Sequence, residues 1–153
     1  STARAQLAAG KVAACVELVQ EFEAADEPVL VLSAYVAPCN ALASREGWAC
    51  ITGETPTKER GRIVEAFQAG KLKGLALTFR AGGVGITLTR AANVIENDLD
   101  WNPAIINQGE DRCVRIGQTR GVLVQRLVAD HPLDKHVVRL LAKKQRMIEE
   151  VGQ

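Results

Sequence analysis

The sequence predicts an α/β fold: one domain with a mostly parallel sheet of about five or more strands and helices on both faces. Three observations carry this. Short apolar runs alternate with helix-period stretches about five times along the chain, the pattern of repeated strand–helix units. The first strand candidate, Val29–Leu32, is continuously apolar, as a strand covered on both faces must be. The length, 153 residues, suits one domain with a sizeable core.

The elements follow in order. Residues 3–25 read as helical, with Val12, Cys15, Val16, Val19 and Phe22 at helical spacing. Asp26-Glu27-Pro28 reads as a turn into the first strand. A helix is expected over Ala37–Arg45, with Pro38 in its first turn. Trp48–Ile51 is the second strand, ending at Thr52-Gly53. Thr55-Pro56 opens a helix to about Ala69, with Ile63, Val64 and Phe67 on one face and Gly70 as its stop. Gly74–Thr78 is the third strand, followed by the glycine-rich run Gly82-Gly83-Val84-Gly85. Asn93-Val94-Ile95 begins the fourth. A buried Glu96 is costly without a partner, so this strand is expected to end at Ile95. Pro103–Arg115 is a helix with proline at its start, and Val122–Val128 the fifth strand. Residues 133–150 read as a long C-terminal helix carrying Arg139, Lys143, Lys144 and Arg146. Open α/β sheets gather their binding loops at the carboxyl ends of the strands. Here these are Ser33–Val36, Thr52–Thr57, Thr78–Thr87 and Asp98–Asn102.

Composition excludes several classes. The net charge of +1 predicts no nucleic-acid partner in bulk, so any such binding needs local clusters of Lys and Arg. Cys15, Cys39, Cys50 and Cys113 form no C-x-x-C pair, and His131 and His136 are remote from them. A metal site is therefore not expected, and the cysteines read as buried free thiols. No apolar run approaches the ~20 residues that span a bilayer, so no membrane partner is expected. The first residues, Ser-Thr-Ala-Arg-Ala-Gln, have no signal-peptide character and no initiator Met. The chain is expected to be cut from a longer polypeptide.

The most informative stretch is Gln108-Gly109-Glu110-Asp111-Arg112-Cys113-Val114-Arg115-Ile116-Gly117-Gln118. On a helix, Gln108, Arg112 and Arg115 share one face. Arginines at that spacing repel mildly, and a facing polyanion offsets this through bidentate contacts to phosphate oxygens. A solvated basic face is the alternative that this segment alone leaves open.

This stretch closely resembles motif VI of the Swi/Snf-type DNA-dependent ATPases of helicase superfamily 2, Gln-x-x-Asp-Arg-x-x-Arg-Ile-Gly-Gln. Other segments match in the same order. Thr78-Phe79-Arg80-Ala81-Gly82-Gly83-Val84-Gly85 resembles motif V. Asp98-Leu99-Asp100-Trp101-Asn102-Pro103 resembles the Asp-x-x-Trp-Asn-Pro segment. Leu30–Tyr35 resembles motif IV. Ile51–Pro56, with Arg60 following, resembles a loop that touches DNA backbone, although Thr52 stands where the family has Asp. Gly109 is a further departure, costing roughly 1 kcal/mol in a helix interior against alanine. The resemblance covers about Lys11 to Ile148.

The resemblance implies a helicase C-terminal, second RecA-like lobe. Arg115 is then the principal arginine finger, Arg112 its companion and Gln108 a supporting residue. Gly83, Gly85 and Asp111 line the nucleotide cleft. Ser33, Thr52, Gly53, Thr78, Arg80, Gly82 and Trp101 contact DNA. Taken by itself, Trp101 reads as core. An arginine finger stabilises charge on the transferred γ-phosphoryl group, typically ~10³–10⁵ in rate.

No Gly-x-x-x-x-Gly-Lys-Ser/Thr occurs, so this chain cannot cradle ATP phosphates in the P-loop way. ATP and Mg2+ are expected mainly on an N-terminal RecA-like lobe of the same polypeptide, and this fragment is expected to be inactive alone. The expected partner is double-stranded DNA. The expected location is the cytoplasm of a bacterium or virus-infected cell, near the nucleoid, or a eukaryotic nucleus. Two other readings remain open. RNA-helicase and restriction-motor lobes usually carry Gln-x-x-Gly-Arg-x-x-Arg, whereas this chain has Asp111-Arg112. A stand-alone nucleic-acid- or protein-binding module needs no upstream P-loop and no function for Arg115.

Overall fold

The computed structural model describes residues 2–81, 88–111, 122–129 and 137–144, the last stretch and residue 129 as backbone only. The helices are α1 (Thr2–Gly10), α2 (Val12–Ala24), α3 (Val36–Ala43), α4 (Thr57–Gln68) and α5 (Pro103–Asp111). The strands are β1 (Val29–Ser33), β2 (Trp48–Ile51), β3 (Gly74–Thr78), β4 (Asn93–Glu96), β5 (Val122–Ala129) and β6 (Val137–Lys144).

The strands form one sheet in the order β2-β3-β1-β4-β5-β6. The first five run parallel and β6 pairs antiparallel with β5. Leu30 and Leu32 turn to one face with Leu75, Leu77, Val94, Val122 and Val124, where Phe67 and Ile63 of α4 and Ile105 and Ile106 of α5 cover them. Val29 and Val31 turn to the other face with Ala76, Ile95 and Leu127, under Cys15, Leu18 and Val19 of α2 and Cys39 and Leu42 of α3. Both faces are dry, which explains why β1 and β3 are apolar without alternation. The α/β expectation therefore holds.

Local chemistry sets the ends of several elements. Gly70 lies at φ +81°. Its N–H reaches Phe67 O, and the next N–H, from Lys71, reaches Ala66 O. That is a Schellman stop in the left-handed conformation that glycine adopts freely. Arg90 adds two bonds to the same end, to Phe67 O and Leu72 O. Asp26 also has positive φ (57°), which makes Asp26-Glu27-Pro28 the expected turn. Glu23 accepts from Arg45 and from the Trp48 indole at 2.7–3.0 Å, tying α2 to the α3–β2 connection. Arg45 holds the Glu23 carboxyl below its usual range.

Three expectations are corrected. The first helical stretch is two helices, α1 and α2, broken at Gly10-Lys11. Lys11 is nearly buried and its ammonium donates to Leu127 O at 3.2 Å. The glycine weakens the helix there, and the long-range bond fixes the break.

The fourth strand does not end at Ile95 but continues through Glu96. Glu96 is fully buried because Arg126 of β5 donates to it at 2.8 Å, so the partner that permits burial lies thirty residues downstream.

The C-terminal helix expected over 133–150 is also corrected, since Val137–Lys144 is a strand. Val137 and Val138 are β-branched, and eight residues pair with β5. They satisfy an edge that would otherwise expose unpaired backbone groups.

Candidate nucleotide and nucleic-acid face

The chain order reverses its direction across the sheet at β1: β2 and β3 lie on one side, β4 and β5 on the other. Such a switch point opens a crevice at the carboxyl ends of the strands. Most of the sequence-predicted site residues among the described ones are placed around it.

Asp98, just beyond β4, organises this crevice. It is nearly buried and accepts from the Ser33 hydroxyl (2.6 Å), the Ala34 N–H (2.7 Å) and the Asn97 amide (2.8 Å). Three donors satisfy a carboxylate that burial would otherwise penalise. Ser33 Oγ also accepts from the Tyr35 N–H at 3.0 Å. The motif IV loop is thereby locked to the start of the Asp-x-x-Trp-Asn-Pro segment. Asn97 extends the network by donating to Ala8 O on α1 at 3.1 Å. Thr78 pairs with Ser33 in register on the neighbouring strand.

Asp100 turns the chain next. It accepts the Asn102 N–H at 3.0 Å and both Nε and Nη2 of Arg80, at 3.0 and 3.3 Å. Arg80, foremost, holds the Asp100 carboxyl below its usual range. The Arg80 side chain remains 57% exposed, so its outer edge faces solvent. Asn102 Oδ1 accepts the Ala104 N–H at 3.0 Å. With Pro103 as the first helical residue, this is a side-chain N-cap followed by proline. It launches α5 from the crevice.

Trp101 is 73% exposed, which overturns its reading as core. It stands beside a cleft of about 330 Å³ whose walls include Arg4, Lys11, Tyr35, Asp98 and Asp100. Burial lowers the Lys11 ammonium's pKa, and Asp98 opposes this.

On α5, Gln108 is exposed and Asp111 half-buried. Gly109 is buried, and a Cβ there would sit 2.8 Å from the Phe79 ring and 3.5 Å from Phe79 backbone. The helix interior carries glycine because α5 crosses the end of β3 at close range. Packing thus explains the apparent cost of Gly109.

The loop after β2 is built differently. The Thr52 hydroxyl accepts from the Glu54 N–H, and Thr55 Oγ1 accepts from the Thr52 N–H. Thr52 therefore shapes this turn with its own side chain, as a short acidic residue would. Arg60 clamps the loop through the carbonyls of Thr52, Gly53 and Thr55. Gly53 is exposed at the tip.

Arg112, Arg115, Gly82, Gly83 and Gly85 lie outside the described residues, as does Cys113. Among the described residues, no group of three or more His, Cys, Asp or Glu is placed to hold a metal ion. No helix among them is long and apolar enough to cross a membrane. Burial pushes the Cys15 thiol up to about 12 and raises Cys39 as well, so both are inert at neutral pH.

Comparison with known proteins decides the family. The helicase conserved C-terminal domain matches residues 10–117. The chain belongs to this family. Its relatives make it a Swi/Snf-type member. It is 39% identical over 107 residues to Helicase ssl-1 of Caenorhabditis elegans, covering 67% of this chain and 4% of that protein. It is 40% identical over 102 residues to Helicase swr1 of Aspergillus fumigatus, covering 66% and 6%. It is 32% identical over 149 residues to the putative ATP-dependent helicase/translocase YwqA of Bacillus subtilis, covering 94% and 16%. Among solved structures, the C-terminal part of the Fun30 ATPase domain superposes with a TM-score of 0.66 at 28% identity, covering 76% of this chain and 40% of that one. This helicase C-terminal lobe thus spans a small part of its curated relatives.

Several residues that organise the lobe were not singled out as site residues from sequence. Asp98 and Asp100 stood inside a recognised segment, and their alternation with Leu99 and Trp101 was the available signal. Lys11 and Arg126 carried none, because their partners are remote in sequence.

Proposed function

We propose that this lobe completes the ATP site of a double-stranded-DNA translocase of the Swi/Snf type and grips one DNA backbone. The observation that carries the reading is the joining of two segments at one edge. The crevice built on Asp98 and Asp100 passes through the Asn102 cap directly into the helix that bears Gln108 and Asp111. Movement of the nucleotide-facing helix is therefore coupled to the loops around Ser33, Arg80 and Trp101.

In this mechanism ATP lies between two lobes, with its β- and γ-phosphates and Mg2+ held by an N-terminal RecA-like lobe. On closure Arg115 and Arg112 meet the γ-phosphoryl group. Gln108 supports them from the exposed face of α5, and Gly83, Gly85 and Asp111 line the cleft. ATP supplies the energy, and this lobe supplies positive charge that costs no reorganisation when the phosphoryl group transfers.

DNA contact divides between shaping and touching groups. The Ser33 hydroxyl is committed to Asp98 and to the Tyr35 N–H, and the Thr52 hydroxyl to the Glu54 N–H, so they set backbone geometry. Thr78 belongs with Ser33 at the strand ends. The outer edge of Arg80, the backbone at Gly53 and Gly82, and the Trp101 ring are the touching groups. Such contacts engage phosphate and sugar and carry little sequence information. The protein then works wherever the chromosome is, in a bacterial cytoplasm or a nucleus.

The test is duplex binding by the full-length protein with Arg80→Ala. Affinity is expected to fall several-fold near physiological salt, and the log–log salt slope to become shallower by about 1. Unchanged affinity and slope would remove Arg80 from the interface. The isolated lobe is expected to hydrolyse no ATP.

A further inference from the structure

Arg60 stands in the first turn of α4. Side chains on a helix lean toward its N-terminus, so a long one there lies back over the loop that precedes the helix. Arg60 does this. Its Nε donates to Thr55 O at 2.8 Å, and its Nη2 donates to Thr52 O and to Gly53 O, both at 3.3 Å. One guanidinium thus draws three carbonyls of the β2–α4 loop to one side.

The N–H groups of the same loop are nearly all spent. The Thr52 N–H donates to Thr55 Oγ1 (3.0 Å), the Glu54 N–H to Thr52 Oγ1 (3.2 Å) and the Thr55 N–H to Thr52 O (3.1 Å). Pro56 has no N–H to give. The Gly53 N–H has no acceptor among the described residues, and Gly53 is exposed. In a planar trans peptide, an N–H points opposite to the C=O of the preceding residue. The Thr52 carbonyl faces Arg60, so the Gly53 N–H faces away from it. A Cβ on Gly53 would meet nothing within 4 Å, so the loop tip is open.

We propose that Arg60 is a positioning residue: by holding the carbonyls of Thr52, Gly53 and Thr55 inward, it presents the Gly53 N–H outward as a donor to one phosphate of the DNA backbone. The proposal rests on the reading of this loop as a DNA contact. Arg60 acts by shape. Three acceptors on one short loop need donors fixed in a plane, which a guanidinium has and an ammonium lacks. Arg60 therefore differs from Arg80, whose outer edge faces solvent. An arginine that touches phosphate adds about 1 to the log–log salt slope of duplex binding, and one that only buttresses a loop adds nothing.

The experiment measures duplex affinity of the full-length protein over a range of salt concentrations, with duplex-stimulated ATP turnover and unfolding temperature. Arg60→Ala is expected to lower affinity about tenfold with the salt slope unchanged. In turnover the loss should appear in KM for duplex, with kcat at saturating duplex and ATP retained. Arg60→Lys keeps the charge and the aliphatic stem but not the fork, and is expected to bind as weakly as the alanine variant. A slope shallower by about 1 in Arg60→Ala overturns the proposal, since Arg60 would then touch phosphate itself. So does affinity restored by lysine, or affinity unimpaired in alanine. Should the alanine variant not fold, the lysine variant decides. Gly53→Leu, run in parallel, separates the two readings. It adds bulk in the open space beside the N–H, and is expected to weaken duplex binding without lowering the unfolding temperature. Unchanged affinity there means that the loop does not meet DNA, and the proposal falls with that reading. Weakened binding there, beside Arg60 variants that bind like the unmodified protein, means that only the positioning role fails.

Discussion

Replacing Arg115 with alanine in the full-length protein is expected to lower DNA-stimulated ATP turnover by about 10³-fold or more. The loss should appear in kcat, with duplex affinity and unfolding temperature unchanged. The reason is differential binding: the guanidinium meets charge that develops only as the γ-phosphoryl group transfers. Arg115→Lys should recover little, since an ammonium lacks the planar fork that engages two oxygens at once. Steady-state hydrolysis at saturating ATP and duplex DNA measures this directly. A loss below about tenfold would assign Arg115 to a solvated basic face instead.

Asp98→Ala is expected to destabilise the lobe by about 3–5 kcal/mol. The carboxylate receives three donors, from Ser33, Ala34 and Asn97. Alanine leaves all three without their acceptor at a nearly buried site. The total stability of a domain this size is on the order of 5–15 kcal/mol, so the variant should lie near the threshold of folding. Asp98→Asn should cost less but not restore stability, because its NH₂ faces donors where an acceptor is needed. Urea unfolding of the two variants checks the order. A cost for alanine under about 1 kcal/mol would mean that Asp98 does not organise the crevice.

Much of this fold was legible in the sequence, for identifiable reasons. β1 and β3 are buried on both faces, so apolar runs marked them without ambiguity. The Gly70 stop and the Pro103 start depend on the residues themselves. What escaped depends on distant partners. Glu96 read as a cost because Arg126 is on another strand. Gly109 read as a weakness because Phe79, which fills the space of its missing side chain, comes from the end of β3. The last strand read as a helix because an apolar and basic stretch fits either period, and only the open edge of β5 decides between them. Trp101 read as core because aromatic rings usually are, yet the turn fixed by Asp100 and Asn102 leaves it outside.

The site was legible to a different extent. The family resemblance named Ser33, Thr52, Arg80 and Gln108, and the fold gives each a position at the carboxyl edge or on α5. It did not reveal that the Ser33 hydroxyl is spent on Asp98 and the Thr52 hydroxyl on the Glu54 N–H of its own loop. Nor did it reveal that Arg80 is oriented by Asp100. Hydrogen-bond allegiance is decided by three-dimensional neighbours, which a motif does not record.

The most direct test of the central claim is ATP hydrolysis by the full-length protein with no nucleic acid, duplex DNA, single-stranded DNA or RNA. The account predicts low basal turnover and strongest stimulation by duplex DNA. Stimulation chiefly by RNA, or turnover indifferent to every nucleic acid, would contradict it.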